Sequence, residues 1–186
     1  EVMAKNVENI RLYGGDSDSV WCAAKGSTGP TTLGALDVAF KEVGWLSEDG
    51  IESSIDGAEV VKFAAHQGGA TVRTKSKAGT YQFKFVCLET TALTLGLIHG
   101  PITWTKSGLI ARGVIGAGGP PEMAWVVDKY DAEASIHDRE VYASGTPQLT
   151  GAVSAKHDEM TMLEFTVTAS GKPDLITNAA NIIAAV

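Results

Sequence analysis

The feature that most constrains the fold is a continuous run of strand and turn signals between residues 43 and 89. Its clearest part is residues 80–88, where apolar and polar side chains alternate with the two-residue period of a β-strand. The apolar side chains that share one face are Tyr81, Phe83, Phe85 and Cys87. A strand face of this kind packs against a core, so the sequence predicts a mainly β fold.

Other segments carry β-branched and aromatic residues bounded by turn residues, which is the general signature of strands. They predict strands at 20–24, 36–45, 58–65, 71–74, 102–104, 109–115, 123–130, 134–142, 149–155 and 162–168. Residues 47–57 contain the turn sequences Glu48-Asp49-Gly50 and Asp56-Gly57, which predict a protruding polar loop. Residues 145–147 predict a break between two strands.

One short helix is predicted at about residues 90–99. Thr90 or Thr91 can cap its N-terminus, and apolar residues recur at helical spacing between Leu93 and Ile98. Gly100-Pro101 then ends it, because glycine favours a helix C-terminus and proline cannot continue the helix.

The length of 186 residues suits one β-domain with extended arms. We predict an N-terminal arm at 1–32, a β-domain at 33–170 and a C-terminal arm at 171–186. Residues 1–6 lack the apolar core of a signal peptide, and the apolar run 182–186 is too short to cross a bilayer. These features predict a soluble protein that is made in the cytoplasm and has no membrane partner.

The net charge of −7 argues against a protein that binds free nucleic acid, because phosphate affinity requires clustered Lys and Arg. Arg73, Lys75 and Lys77 form a small basic stripe, which we interpret as a solvated hairpin face rather than a nucleic-acid site. Cys22 and Cys87 form neither a zinc spacing nor a disulfide framework, so we expect two reduced structural thiols.

Sequence motifs for chemistry are weak. His137-Asp138 and His157-Asp158-Glu159 lack a metal-ligand spacing, and no Gly-x-Ser-x-Gly nucleophile motif is present. The Gly-rich residues 113–119 lack a Gly-Lys-Ser/Thr ending and precede Pro120-Pro121 where a phosphate loop needs a helix. We predict no catalytic residue, no cofactor and no metal.

The tryptophans leave a second function open. Trp21, Trp45, Trp104 and Trp125 are spread along the chain and are typical of core or interface anchors. If the fold brings them together at the surface, they could instead stack on sugars. The alternative function is therefore a monomeric β-sandwich module for adhesion or carbohydrate binding. An enzyme of unfamiliar type ranks third, and substitution of His137 and His157 would test it.

Several segments together resemble the major tail tube proteins of long-tailed, non-contractile bacteriophages, in particular those that infect actinobacteria. The similar segments are 43–51, the His66-Gln67-Gly68-Gly69 turn, 81–89, 134–142 and 163–169. One departure is His66, because relatives often have tryptophan before Gln-Gly-Gly. Related tubes of bacterial injection machines share the same architecture.

The resemblance implies a β-sandwich or half-barrel with one short flanking α-helix and extended arms. It implies a structural virion protein of the phage tail, made in the host cytoplasm, that assembles into stacked hexameric rings. DNA would pass through the hollow tube into the host without specific binding. Implied partners are further copies of the chain, the tape measure protein, and tail terminator or distal tail proteins.

The predicted assembly surfaces are the loop region and the turn. Strands with few charges or prolines to block their edges favour pairing with neighbouring copies. Acidic side chains facing the lumen would keep DNA from adhering over about 8 Å at physiological salt. The interface residues that we predict are Trp45, Asp49, Ser53, Asp56, Gln67, Gly68 and Gly69.

Overall fold

The computed structural model describes residues 10–64, 71–158 and 160–185, and most of them lie in strands. The strands are β1 (Ser19–Ala24), β2 (Lys41–Glu42), β3 (Leu46–Asp56), β4 (Glu59–Ala64), β5 (Thr71–Lys77), β6 (Thr80–Cys87), β7 (Ile102–Ser107), β8 (Ile110–Ile115), β9 (Met123–Asp131), β10 (Ile136–Leu149), β11 (Leu163–Ala169) and β12 (Asp174–Thr177). The helices are α1 (Ala92–His99) and α2 (Ala180–Ile183). The mainly β prediction is confirmed.

One antiparallel sheet holds the strands in the order β2-β1-β9-β10-β11-β6-β3. Its longest strand, β10, pairs with β9 on one side and with β12 and then β11 on the other. The two ends of this order, β2 and β3, follow one another in the chain, so the sheet curls around its core. Among the described residues it does not close into a barrel, and it therefore has the form of a half-barrel.

Gly44 makes the passage from β2 to β3 possible. Its φ of +101° lies in the region that disfavours side chains, and an added Cβ would stand 2.6 Å from Cδ of Glu89. On either side of it, the Val43 amide donates to the Val20 carbonyl and the Leu88 amide donates to the Trp45 carbonyl. One short segment therefore contacts both β1 and β6.

The main core lies inside the curled sheet. Its largest buried side chains are aromatic, with Phe83 and Trp125 5.7 Å apart in an edge-to-face arrangement and Phe85 and Phe165 5.2 Å apart in a stacked one. The Trp125 indole donates to the Gly145 carbonyl at 2.9 Å, so its polar atom is satisfied. The alternating face predicted for residues 80–88 supplies Phe83, Phe85 and Cys87 to this core, as expected.

A second apolar cluster lies on the outer face of β1, β9 and β10. Its buried members are Ala23, Phe40, Ala124, Val126 and Val141, and Trp21, Leu36 and Ile176 pack against them. Strand β9 is consequently buried on both faces, which explains its nearly continuous apolar sequence.

Helix α1 confirms the predicted helix. Thr91 is its N-cap, and its side chain and that of Thr94 form a reciprocal capping box. The Gly100 amide closes the last turn by donating to the Gly96 carbonyl at 2.9 Å. The short helix α2, near the end of the chain, was not predicted.

Four local predictions were wrong. Residues 36–45 contain only the two-residue strand β2, because the Asp37 side chain accepts from the Ala39 amide and holds a turn. Residues 47–56 are not a loop, because they belong to strand β3, which pairs with β6 and absorbs Gly50 in a bulge; Gly57 alone is a turn residue. Strand β10 continues through residues 145–147, and residues 150–155 form no strand.

The predicted arms also contain strands. Strand β1 lies within 1–32 and pairs with β9, and β12 lies within 171–186 and pairs with β10.

Candidate interaction surfaces

Strands β3 to β6 form one long hairpin that leaves the main sheet halfway along its length. Asp56 pairs with Thr80, and the next described pair is Glu59 with Lys77, so the register continues across a kink. At the kink Gly57 has a φ of +69°, and a Cβ on Gly79 would stand 2.6 Å from the Asp56 carbonyl oxygen. Beyond it, β4 and β5 pair with one another and with no other described strand, and we call these two strands the distal hairpin.

The distal hairpin exposes apolar and basic side chains together. Val60 is 59% exposed and Phe63 is 49% exposed. Directly paired residues of antiparallel strands share a face, so the pairs Phe63–Arg73, Val61–Lys75 and Glu59–Lys77 line one face, which we call the basic face. A small surface cavity of about 420 Å³ lies there, and Phe63, Arg73, Thr74 and Lys75 line it.

A second hairpin, formed by β7 and β8, is exposed on both faces. Leu109 at its turn is fully exposed, and Ile110 is 72% exposed. Trp104 lies directly opposite Gly113, where a Cβ would approach the indole to 2.9 Å, so the ring covers the glycine. An isolated two-stranded hairpin is marginally stable in water, and exposed apolar hairpins are typical of surfaces that another molecule covers.

Four of the predicted interface residues lie on or beside β3. Trp45 is 72% exposed, and its amide donates to Glu89 Oε1 at 3.0 Å. Asp49 accepts from the Ser47 hydroxyl at 3.1 Å, and Asp56 is the exposed last residue of the strand. Ser53 takes part in contacts within the chain. Gln67, Gly68 and Gly69, like His66, lie outside the described residues.

Ser53 belongs to a polar network that joins β3 to β9 and β10. The Lys129 ammonium donates to Ser53 Oγ and to Glu140 Oε1, both at 2.7 Å, and the Tyr142 hydroxyl donates to Glu140 Oε2 at 2.6 Å. Burial disfavours the charged form of Glu140, but the hydrogen bonds from Lys129, Tyr142 and Ser53 outweigh it and lower the pKa of this carboxyl. Sequence patterns did not indicate this network.

A buried ion pair on the outer face of the sheet was also missed. The Arg139 guanidinium donates to Asp128 through Nε at 2.6 Å and through Nη2 at 2.9 Å. Its Nη1 donates to the carbonyls of Thr32 at 2.8 Å and Gly34 at 2.9 Å, so the same side chain holds the segment that follows β1. Alternation along β10 places Arg139 on this face, but burial of a charged residue has no sequence signal of its own.

The histidine-containing groups that suggested chemistry are used structurally or are exposed, apart from Glu159, which lies outside the described residues. His137 Nε2 lies 2.9 Å from Asp128 Oδ1, and both His157 and Asp158 are exposed. Within the described ranges no group of three or more His, Cys, Asp or Glu side chains could hold a metal ion. Cys22 and Cys87 are free and buried, and burial raises the pKa of the Cys22 thiol to about 12.

An acidic recess surrounds Trp45 at the near end of the long hairpin. Its volume is about 260 Å³, and its charged lining residues are Asp16, Asp18, Glu42 and Glu89. Burial is the main cause that raises the pKa of Asp18, whose Oδ1 accepts from the Tyr130 amide at 2.6 Å. Glu48 lines an adjoining recess of about 190 Å³.

A curled antiparallel sheet with two further two-stranded hairpins places the chain among the mainly β proteins. A family model described as phage tail tube protein matches residues 3–185. The chain therefore belongs to the phage tail tube proteins, which are structural proteins of the virion tail and associate with themselves into a tube. No curated protein sequence matches the chain.

No helix in the described part of the chain combines the length and apolar character needed to cross a membrane.

Proposed function

We propose that the protein forms hexameric rings, and that the rings stack into the hollow tail tube of a siphovirus that infects actinobacteria. DNA passes through the tube into the host, and the protein performs no catalysis. Family membership supports the tube, and the resemblance of segments 43–51 and 81–89 to tail tube proteins of non-contractile phages supports the finer assignment. The tape measure protein and the tail terminator or distal tail proteins are the expected partners, and assembly follows synthesis in the host cytoplasm.

The observation that carries the proposal is the distal hairpin, whose two strands pair with no other strand of the described chain. Unpaired strand edges with exposed apolar residues promote association with another chain. Contacts between unlike surfaces of identical subunits close into rings when the rotation allows it. A ring or a stack of rings would therefore cover the edges that one copy leaves open.

Strand β3 is the part of the predicted interface that the structure describes. Trp45 and Asp56 are exposed at its two ends, and β3 is also a terminal strand of the main sheet. We propose that Trp45, Asp49, Ser53, Asp56, Gln67, Gly68 and Gly69 contact neighbouring copies. We also propose that segments 1–32 and 171–186 act as arms around the domain at 33–170 and contribute to the same contacts.

Net charge supports passage of DNA without adhesion. The chain carries −7, and a lumen with the same sign as the phosphates repels DNA within about one Debye length, roughly 8 Å at physiological salt. Binding of duplex DNA to assembled tubes should therefore stay undetectable by electrophoresis at physiological ionic strength, whereas tight binding would contradict this part of the proposal.

The direct test is negative-stain electron microscopy of the purified protein over a concentration series, with sedimentation velocity on the same samples. We expect hollow tubes or six-fold rings that increase with concentration. The variant Leu109→Asp/Ile110→Asp is compared with the unaltered chain over the same concentration series. It places two charges at the exposed turn of the β7–β8 hairpin without touching the core. Particles of the unaltered chain that stay monomeric at every concentration would contradict the proposal.

The exposed indoles of Trp45 and Trp104 are the observation that favours the alternative, a monomeric adhesion or carbohydrate-binding module. They lie on different elements, and the recess beside Trp45 is lined by carboxylates and not by a second indole. Quenching of tryptophan fluorescence by added oligosaccharides, together with a monomeric sedimentation coefficient, would support this alternative and oppose the tube.

A further inference from the structure

We propose that the basic face of the distal hairpin in one copy docks on the acidic recess around Trp45 in a second copy. This inference rests on the proposed self-assembly and identifies the two surfaces that meet. The partner is another copy of this chain, because the two surfaces of one molecule are complementary in charge and in apolar character.

The basic face carries three cations and one described carboxylate, that of Glu59, which lies opposite Lys77. Arg73, Lys75 and Lys77 occupy alternate positions of β5 and so project from the same side, about 7 Å apart along the strand. None of the three forms an ion pair with a described carboxylate of its own chain. Phe63 and Val61 lie opposite the first two on β4 and add an apolar component to the same face.

The acidic recess has the matching composition. Four carboxylates line the recess together with an indole that is 72% exposed, and no lysine or arginine of the described residues lines it. A guanidinium or ammonium group can lie over the face of a tryptophan while it pairs with nearby carboxylates. Two of the carboxylates, Asp18 and Glu89, are held in place by backbone amides of Tyr130 and Trp45.

The hairpin cannot reach the recess of its own copy. Trp45 immediately precedes β3, whereas the distal hairpin begins beyond the other end of that strand, after Asp56. Leu46 and Asp56, at the two ends of β3, pair with Cys87 and Thr80, which lie seven positions apart on β6. At about 3.3 Å per residue, β3 therefore separates the two surfaces by roughly 23 Å or more. The contact is therefore between copies, and because its two halves differ it is head-to-tail and can repeat along an assembly.

Charge reversal in both surfaces gives the sharpest test. The first variant is Arg73→Glu/Lys75→Glu in the basic face, and the second is Asp16→Lys/Glu42→Lys in the acidic recess. All four side chains are exposed, so circular dichroism and thermal unfolding should match the unaltered chain. Neither variant should assemble alone, with the concentration needed for assembly rising at least about tenfold, since like charges then face each other.

An equimolar mixture of the two variants should restore assembly to within about threefold, because each altered surface then meets its complement. The mixture also serves as the folding check, since misfolded chains could not restore it. A matched control is Lys62→Glu/Lys84→Glu, which changes the net charge equally at two exposed lysines that lie outside the basic face and outside the proposed arms. The control should assemble at about the concentration of the unaltered chain.

Three results distinguish failure of the docking inference from failure of the proposed function. If the unaltered chain forms tubes and both reversal variants also form them at the same concentration, the docking inference is overturned while the proposed function stands. A folded pair of variants that fails to recover on mixing overturns it as well. If the unaltered chain forms no assembly at any concentration, the proposed function and this inference fall together.

Discussion

Removal of the buried guanidinium of Arg139 should be among the most destabilising single changes in this protein. In Arg139→Met the buried Asp128 carboxylate loses two charge-assisted hydrogen bonds, and its contact with His137 is the one that remains among the described residues. The carbonyls of Thr32 and Gly34 lose their donor as well. Breaking one partner of a buried ion pair costs about 3–5 kcal/mol, so we expect a loss of that size in the free energy of unfolding.

The assay is urea unfolding followed by far-UV circular dichroism, at a concentration low enough to keep the chain monomeric, because self-association adds stability by mass action. For a chain of this size the same loss corresponds to a fall in Tm of roughly 6–20 °C. The variant Arg139→Lys keeps a charge but loses the two-pronged geometry, so its loss should be intermediate.

The double variant Asp128→Leu/Arg139→Met supplies the control. It removes both charges, so it should cost less than the sum of the two single changes, with a coupling energy of about 1–3 kcal/mol. The reasoning is refuted if Arg139→Met costs under about 1 kcal/mol, or if the single changes are additive. Either result would mean that water or rearranged neighbours satisfy Asp128 without its partner.

Three other changes have calculable outcomes. Gly44→Ala should lower the free energy of unfolding by about 1–3 kcal/mol more than Gly50→Ala. Both residues have positive φ, but only at Gly44 would an added Cβ stand against Glu89. Equal losses in urea unfolding would exclude a role for this contact. The pKa of Glu140 is lowered in the folded state, so this carboxylate stabilises the fold above its unfolded pKa, and the stabilisation is lost as pH falls through its folded pKa. Glu140→Gln should therefore make the free energy of unfolding less dependent on pH below about pH 4.5. An unchanged pH dependence in acid would argue against the network. Thr91→Ala should lower the free energy of unfolding by about 1 kcal/mol through loss of the helix cap, as measured by thermal unfolding. Thr91→Ser keeps a capping hydroxyl and should recover most of this loss. A serine variant as unstable as the alanine variant would assign the loss to packing.

The local chemistry of the sequence determined much of the secondary structure. Residues 80–88 alternate so regularly that β6 and its buried face were predictable, and α1 carries its cap and its stop signal in its own sequence. The family resemblance followed from short segments in a fixed order. These features depend on near neighbours in the chain, so the sequence displays them directly.

Tertiary structure decided the features that depend on distant partners. The polar segment 47–57 becomes β3 because β6 offers a free edge, although its own turn residues indicate a loop. Residues 36–45 carry an alternating pattern, yet Asp37 turns the chain so that Phe40 covers the outer cluster. In the first case hydrogen bonds to another part of the chain outweigh weak local propensity. In the second a local turn at Asp37 ends the alternation, and the packing of Phe40 fixes where the turn lies.

The interaction surfaces divide in the same way. The sequence alone shows the basic residues at alternate positions of 73–77 and the polar and acidic residues that follow Trp45. Only the fold places the first group on a hairpin that leaves the sheet and gathers Asp16, Asp18, Glu42 and Glu89 from separate segments into one recess. Convergence of residues far apart in sequence is a property of chain path and sheet register, and local sequence patterns do not encode it.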